Sequence, residues 1–383
     1  MANRRRRKKK KKAGVVIFVI ELLVLLVLVG GIAVLAFVNK KADNVTQDDT
    51  LDLDNVEMNE VAVTSETLHG YENIMIVGVD TREGDLNYAN SDVMIIGSIN
   101  NDTKEVKLAS IYRDTLLNTG EDEDGDDEYR KANYAYAAGS AERLLSMVNT
   151  NMDLDISDYV TVDFSAVAEV VDLLGGLDIT LTEQECVHLN NYCKETSEVT
   201  GKDYEELDEE DGTYHLNGVQ SVAYARIRYT AGNDFKRAQR QRLVIYKIVE
   251  KVKNSNWSTL NEIMDTVFPM IKTSYSKSEL IKMGTSILSY NMSASTGFPF
   301  DHLEVQEVNG REMDCVVPVT LANNVAQLHE YLFGETDYQV SETCQQYSDE
   351  IADLTGYGSD SISEAAAAAD AALPNIGSEA DAQ

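Results

Sequence analysis

Basic side chains become scarce in this 383-residue chain once its first twelve residues are passed. Nine of its 33 Lys and Arg residues are the unbroken run 4–12, so the rest of the chain sets 24 against 65 Asp and Glu. That balance excludes general nucleic-acid binding by the main body of the chain. Histidine is also sparse: His69, His188, His215, His302 and His329 are scattered, which excludes a histidine-rich zinc site. The four cysteines show no CxxC spacing and no Cys/His catalytic pattern, and no Ser/His/Asp nucleophile order stands out. The acidic run 121–128 (EDEDGDDE) does not have the ligand spacing of an EF-hand loop and reads as a solvated loop, as does 205–211 (EELDEED) before the arginine segment.

What is present is first of all a long apolar run. Residues 14–38 carry a single charge, Glu21, and are long enough to cross a bilayer. The basic leader 1–13 then places the N-terminus in the cytoplasm and everything after residue 38 outside. A cleaved signal peptide is the rival reading, but the run is longer than a signal core and no small-x-small site follows it. Residues 39–70 are polar and acidic and read as a spacer with a short strand at 61–63. The folded domain is expected over 71–345, and 346–383 as an acidic low-complexity tail. Outside the membrane, the cysteines permit two disulfides, most simply Cys186–Cys193 and Cys315–Cys344, with other pairings open.

Within the domain, 73–79 (NIMIVGV) and 93–99 (VMIIGSI) have buried-strand patterns, and 106–112 (VKLASIY) closes a hairpin that delivers Arg113. Helix is expected over 138–147 and 166–174, an extended segment over 159–164 and a strand over 177–181. A long helix ends near 253, amphipathic helix continues over 260–290, a strand covers 303–308 and a final helix 321–333. This alternation implies an α/β fold with a sheet sandwiched by helices. Asp80 and Asp92 close and open the first two strands, so antiparallel neighbours would bring both carboxylates to one edge. There they can hold Mg²⁺, with water and phosphate oxygens as its other ligands. Asp is also common at strand ends simply because it makes turns.

The chain is organised around 224–242 (YARIRYTAGNDFKRAQRQR), which holds Arg226, Arg228, Arg237, Arg240 and Arg242. If Arg226 and Arg228 are extended, both point to one side. Asp234 reads as the N-cap of a helix whose stripe Arg237, Gln241, Val244, Ile248, Val252 has 3.6-residue periodicity. Guanidinium groups at a helix N-terminus suit phosphate oxygens, so a phosphate or pyrophosphate is the leading ligand. The alternative is a charged helix face neutralised by the abundant acids.

These segments together resemble the LytR-CpsA-Psr family. Its blocks stand in order as GVDTR (78–82), NSDVMII (90–96), SIYRDT (110–115), KANYAY (131–136), VDF (162–164), LLGGLDI (173–179), LNGVQSVAYARIR (216–228) and DFKRAQRQR (234–242). The resemblance implies a membrane-anchored, extracytoplasmic phosphotransferase. Such an enzyme moves teichoic acid or capsular polysaccharide from an undecaprenyl-diphosphate carrier to peptidoglycan, on a central, largely antiparallel sheet between helices. It implies Asp80 and Asp92 for Mg²⁺ and acceptor activation. Arg113, Arg226, Arg228, Arg237 and Gln241 would hold the diphosphate, with Arg240 in the same block. The family commonly has Arg where this chain has Asn90, and Arg82 is the candidate replacement. A lipid-diphosphate hydrolase and a non-catalytic envelope-binding protein are the competing functions.

Overall fold

The computed structural model describes residues 46–362 except 49, 80–85, 87–89, 229–232, 277–278 and 281–288, together with residue 365. The apolar run 14–38, Asp80 and Arg82 lie outside the described residues, among which no helix is long and apolar enough to cross a membrane.

In chain order the strands are β1 (Thr46–Gln47), β2 (Tyr71–Val79), β3 (Ser91–Asn100), β4 (Glu105–Ile111), β5 (Leu116–Glu121), β6 (Asp127–Lys131), β7 (Asp158–Asp163), β8 (Leu177–Leu181), β9 (Gly212–Leu216), β10 (Lys272–Thr273), β11 (Asn291–Phe298), β12 (His302–Val308) and β13 (Arg311–Pro318). The helices are α1 (Glu60–Val63), α2 (Tyr134–Met152), α3 (Phe164–Leu173), α4 (Glu183–Thr200), α5 (Gly218–Arg226), α6 (Asn233–Asn254), α7 (Trp257–Thr266), α8 (Leu321–Phe333) and α9 (Glu342–Thr355).

Seven strands form the central sheet in the order β1-β10-β7-β2-β3-β4-β11, and three two-stranded ribbons, β5–β6, β8–β9 and β12–β13, lie outside it. The sheet is mixed rather than largely antiparallel. The pairs β1–β10, β7–β2 and β4–β11 are parallel, while β10–β7, β2–β3 and β3–β4 are antiparallel. Only the β2–β3–β4 meander can be read from local sequence. The parallel pairs come from long crossovers through helices, which no local pattern announces.

Alternation along β2 and β3 splits the molecule into two layers. Met75, Val77 and Val79, with Met94 and Ile96, point into one core that also holds Leu144, Leu145 and Val148 of α2 and Val325 and Leu328 of α8. The intervening residues face α3–α6, where a second cluster joins Val171, the β8–β9 ribbon, Val219 and Val244. α3 and α5 meet closely because Gly218 has no side chain: a Cβ there would stand 2.2 Å from the Ala168 carbonyl oxygen.

Several expectations need correction. Residues 61–63 form the helical turn α1 rather than a strand, following Asn59, whose side-chain amide is held by Thr150 O and Asp153. Part of the supposed spacer is folded: β1 joins the sheet, Asp48 pairs with Lys272 Nζ at 2.8 Å, and Val56, Ala62 and Leu68 are buried in the core. At the other end α9 contributes Cys344 and Ile351 to the core, so the fold continues past 345. Helix α2 is longer than 138–147 and breaks at Gly139 and Ser140. Strand 177–181 forms as expected but pairs with β9 outside the central sheet. Within 260–290 the described helix is α7, followed by the short strand β10.

All four cysteines are free and buried. Cys186 and Cys193 lie on one helix, two turns apart, a rise of about 10 Å that no disulfide spans. Cys315 and Cys344 are also unbridged, and the Cys344 thiol donates to Asn151 O at 3.3 Å. Burial pushes the Cys193 thiol up to about 12 and Cys315 to about 11, so neither is a reactive thiolate.

Candidate active site

Between the sheet and helices α3–α6 lies a cavity of about 410 Å³. Its apolar lining comes from Ile76 and Gly78 of β2, Val93 of β3, Val162 of β7, Phe164 and Val167 of α3, Tyr192 of α4, Val222 and Ala225 of α5, and Val244, Ile245 and Ile248 of α6. Its polar lining is Asp92, Arg113, Asp163, Arg226, Arg228, Arg237 and Gln241. Gly78 is required by close approach, since a Cβ would stand 2.8 Å from Val93 Cβ.

Asp92 reaches this cavity because of a register shift. Gly78 pairs with Val93 and Val79 with Ser91, so Asp92 is an extra residue opposite none. Strict alternation would turn it to the side of Met94 and Ile96, into the packed core. The bulge turns it instead to the cavity, where it accepts a short hydrogen bond from Arg113 Nη1 and stands 3.9 Å from Arg228 Nη2.

The arginines arrive from three places. Arg113 follows β4, and its Nε also stands 3.5 Å from Asp114 Oδ1. Arg226 ends α5, a helix started by the capping box of Asn217 and Gln220, so the extended pairing of Arg226 with Arg228 is not what forms. The Arg226 guanidinium sits over the Phe164 ring at 4.9 Å and is held by Thr196 Oγ1 and Glu195 Oε2, each at 3.0 Å. Arg228, two residues beyond, is 37% exposed and is the most open of the set. Arg237 lies one turn into α6; its Nη2 donates to Asp92 O at 2.9 Å and its Nη1 stands 3.2 Å from Asp234 Oδ1. Burial, more than its neighbours, lowers the Arg237 pKa, and its Nε has no hydrogen-bond partner among the described residues. A buried cation with an open donor, beside Arg228 and Arg113, is arranged to receive an anion.

The structure therefore brings together Asp92, Arg113, Arg226, Arg228, Arg237 and Gln241. It does not bring Arg240 to the cavity: the Arg240 Nε and Nη2 stand 3.0 Å from Glu185 Oε1, and Nη1 donates to Ile227 O. That arginine ties α6 to α4 and to the segment after α5. Asp234 is not the N-cap but lies in the first turn of α6, which begins at Asn233. Asn90 is exposed.

Three groups had no part in the sequence reading of the site. Asp163 caps α3 through the Ala166 N–H and lines the cavity, its carboxyl raised by burial. Phe164 and Tyr192 supply aromatic faces to Arg226. The short VDF block contained the first two, but only the fold shows that β7 ends at the cavity. Among the described residues no group of three or more His, Cys, Asp or Glu is placed to hold a metal. Among the described residues only Asp92 and Asp163 bring carboxylates into the cavity lining, while Asp114, Asp234 and Glu195 brace arginines from outside it; so small a set fits an ion that takes most of its ligands from phosphate and water, as Mg²⁺ does.

Known proteins resemble this chain in both sequence and fold. The chain is 29% identical over 249 residues to the polyisoprenyl-teichoic acid–peptidoglycan teichoic acid transferase TagU of Enterococcus faecalis, covering 63% of this chain and 75% of that protein. It is 32% identical over 188 residues to biofilm regulatory protein A of Streptococcus mutans, covering 47% of this chain and 43% of that one. Among solved structures, TagT bound to LI-WTA superposes with a TM-score of 0.54 at 20% identity, covering 75% of this chain and 99% of that one. A protein of Enterococcus faecalis described as a transcriptional regulator gives 0.55 at 21%, covering 76% and 97%. The profile of the LytR_cpsA_psr family matches residues 34–316, which include every strand and helix lining the cavity, and the chain belongs to that family.

Proposed function

We propose that this chain is a phosphotransferase that moves an anionic glycopolymer, a teichoic acid or capsular polysaccharide, from a polyprenyl-diphosphate carrier to peptidoglycan. The observation that carries the reading is the composition of one cavity. Its apolar lining suits a polyprenyl chain, and Arg113, Arg226, Arg228 and Arg237 suit the diphosphate joined to that chain. Relatives named as teichoic acid transferases support the same reaction class.

In this reading the acceptor hydroxyl attacks the glycan-bearing phosphorus, the bond to the bridging oxygen breaks, and polyprenyl phosphate leaves. The acceptor proton passes to a carboxylate, Asp92 or Asp80. Arg237 and Arg228 neutralise charge on the transferring phosphoryl group, and Arg113 fixes the Asp92 carboxylate. Mg²⁺ held by Asp92 and Asp80 would add Lewis-acid stabilisation of that charge. Arg82 is a candidate further diphosphate contact. Residues 14–38 would anchor the chain as a single span, with the catalytic domain outside the cell membrane.

The test uses the full chain in detergent with a short polyprenyl-diphosphate glycan, peptidoglycan fragments and Mg²⁺, and products read by mass spectrometry. A glycan joined to peptidoglycan through phosphate, abolished by chelation, is expected. Phosphoglycan and polyprenyl phosphate without conjugate would replace the transferase by a hydrolase, and binding without turnover would leave a binding protein.

A further inference from the structure

The chain enters the central sheet at the end that carries the acids of the cavity. β7 runs toward Asp163 and β2 beside it toward Val79, so both end where β3 begins and Asp92 stands. β10 is antiparallel to β7, with Lys272 opposite Thr161, so the turn Phe268–Met270 before it lies at that same end. β1 is parallel to β10, with Thr46 opposite Lys272; it therefore arrives from that end too, in contact with Phe268–Met270. Residues 39–45 are all that separates the apolar run 14–38 from β1, a reach of at most about 30 Å. The helix leading into the turn is amphipathic. The Asn256 side chain accepts from Ser258 N and Thr259 N and so starts α7 at Trp257. Trp257, Leu260 and Met264 follow at helical spacing on one side, Asp265 borders them, and Ser258, Glu262 and Thr266 lie opposite. No residue of α7 or of the Phe268–Met270 turn is buried. Trp257 is 55% exposed, Pro269 is exposed, and Leu260, Met264, Phe268 and Met270 are half-buried. One exposed apolar side chain is ordinary, but these follow one another into the strand beside which the chain arrives.

We propose that Trp257, Leu260, Met264 and the Phe268–Met270 turn form a docking surface for the lipid bilayer. The proposal rests on the reading of 14–38 as a membrane span, which brings this end of the sheet within tether length of the lipid. A tryptophan on the apolar side of an amphipathic helix suits the boundary between headgroups and acyl chains. A second copy of the chain is the poorer occupant. α7 is about 15 Å long, whereas a stable interface takes about 800 Å² from each partner. A tethered bilayer needs no such area, because the short link keeps its effective concentration high. Docking here turns the cavity end that holds Asp92 and Asp163 toward the membrane. α7 also packs against α3, whose Phe164 and Val167 line the cavity, so a polyprenyl donor reaches the apolar lining from the bilayer by a short path.

Trp257 is the only tryptophan of the chain, so its emission reports on this surface alone. The full chain is reconstituted in liposomes of phosphatidylcholine and phosphatidylglycerol, with a fraction of the lipid brominated either near the headgroup or near the ends of the acyl chains. Shallow bromine is expected to lower the emission about twofold and deep bromine less, because an interfacial side chain lies about 5–10 Å into the boundary. Met264→Glu should remove most of that quenching and leave the melting temperature little changed. It should also slow transfer from a long-chain donor in the same liposomes severalfold, with transfer from a soluble short-chain donor unchanged. The proposal is overturned if Trp257 of an anchored chain is quenched by acrylamide in the water and not by brominated lipid. Shielding from both is the mark of a second copy or another protein and overturns it equally, as does a Met264→Glu chain quenched like wild type. Should Met264→Glu not fold, the wild-type bromine profile decides alone. A chain released from the liposomes by alkaline carbonate overturns the proposal together with the span reading. A chain that stays in the bilayer but forms no conjugate sinks only the transferase reading, and the quenching then decides this one.

Discussion

Met75, Val77 and Val79 of β2 point to one side of the sheet and are fully buried; Ile76 and Gly78 of the same strand point to the other and line the cavity. One face is packed by α2 and α8, while the other is spanned by α3–α6 over a cavity with arginines among its apolar side chains. The strands are common to both, so rigidity is supplied from one side and room for a ligand is left on the other. A buried guanidinium such as Arg237 is tolerable only because the packed face fixes the strands against which it is braced.

That division is broken most directly by Arg237→Ala. It should reduce transfer about a hundredfold or more, roughly 3 kcal/mol, while thermal unfolding moves little, because a transition-state contact is removed from the open face. Product formation measured beside a melting curve checks it; a large fall in melting temperature with an unchanged rate per folded molecule would place Arg237 in the scaffold instead. Met75→Ala should do the reverse. Emptying a fully buried position should cost about 3 kcal/mol of stability, read by denaturant unfolding, with donor affinity unchanged in the fraction that remains folded.

An acid titration sharpens the comparison at the sheet edge. Burial acts to raise the Asp48 carboxyl, but Lys272, Thr50 and Tyr159 outweigh it and hold the group down at about 2. The native value is depressed, so the stabilisation is complete above the unfolded value of 3.8 and disappears as pH falls through the native one. About 2 kcal/mol should therefore be lost between these limits, and Asp48→Asn should remove that part of the acid unfolding profile. The smallest effect expected is that of Ile248→Ala, about 1 kcal/mol in stability because one side of the residue already faces space. Its signature should be weaker binding of long polyprenyl chains relative to short ones, measured as a ratio of affinities.

Much of the packed face was legible in the sequence, because a strand such as NIMIVGV and the helix at 321–333 declare themselves by local period. Half of the open face was legible for a different reason. Arginine is scarce in this chain, and five of those outside the leader fall within nineteen residues. Scarcity pointed to the place but not to the conformation, and Arg226 proved to end a helix. It also did not separate Arg237, which meets the cavity, from Arg240, which braces Glu185. The hydrogen bond from Arg237 to Asp92 O was hidden because its partners are joined only by tertiary folding. The parallel pairing of β11 with β4 was hidden for the same reason, and the cysteine spacing suggested a staple that the helix over Glu183–Thr200 rules out.

The extra residue opposite Gly78 and Val79 makes the placement of Asp92 a matter of phase. Every other residue that lines the cavity can be exchanged one at a time, and its contribution read from the exchange. The Asp92 carboxylate depends equally on how many residues precede it in the strand. Removing a neighbouring residue such as Ser91 would restore the regular phase and swing the acid toward Met94, into a sealed layer where an unpaired charge is prohibitive. Selection on this enzyme should therefore act on length here as strictly as on chemistry, tolerating a changed side chain beside Asp92 more readily than a missing one.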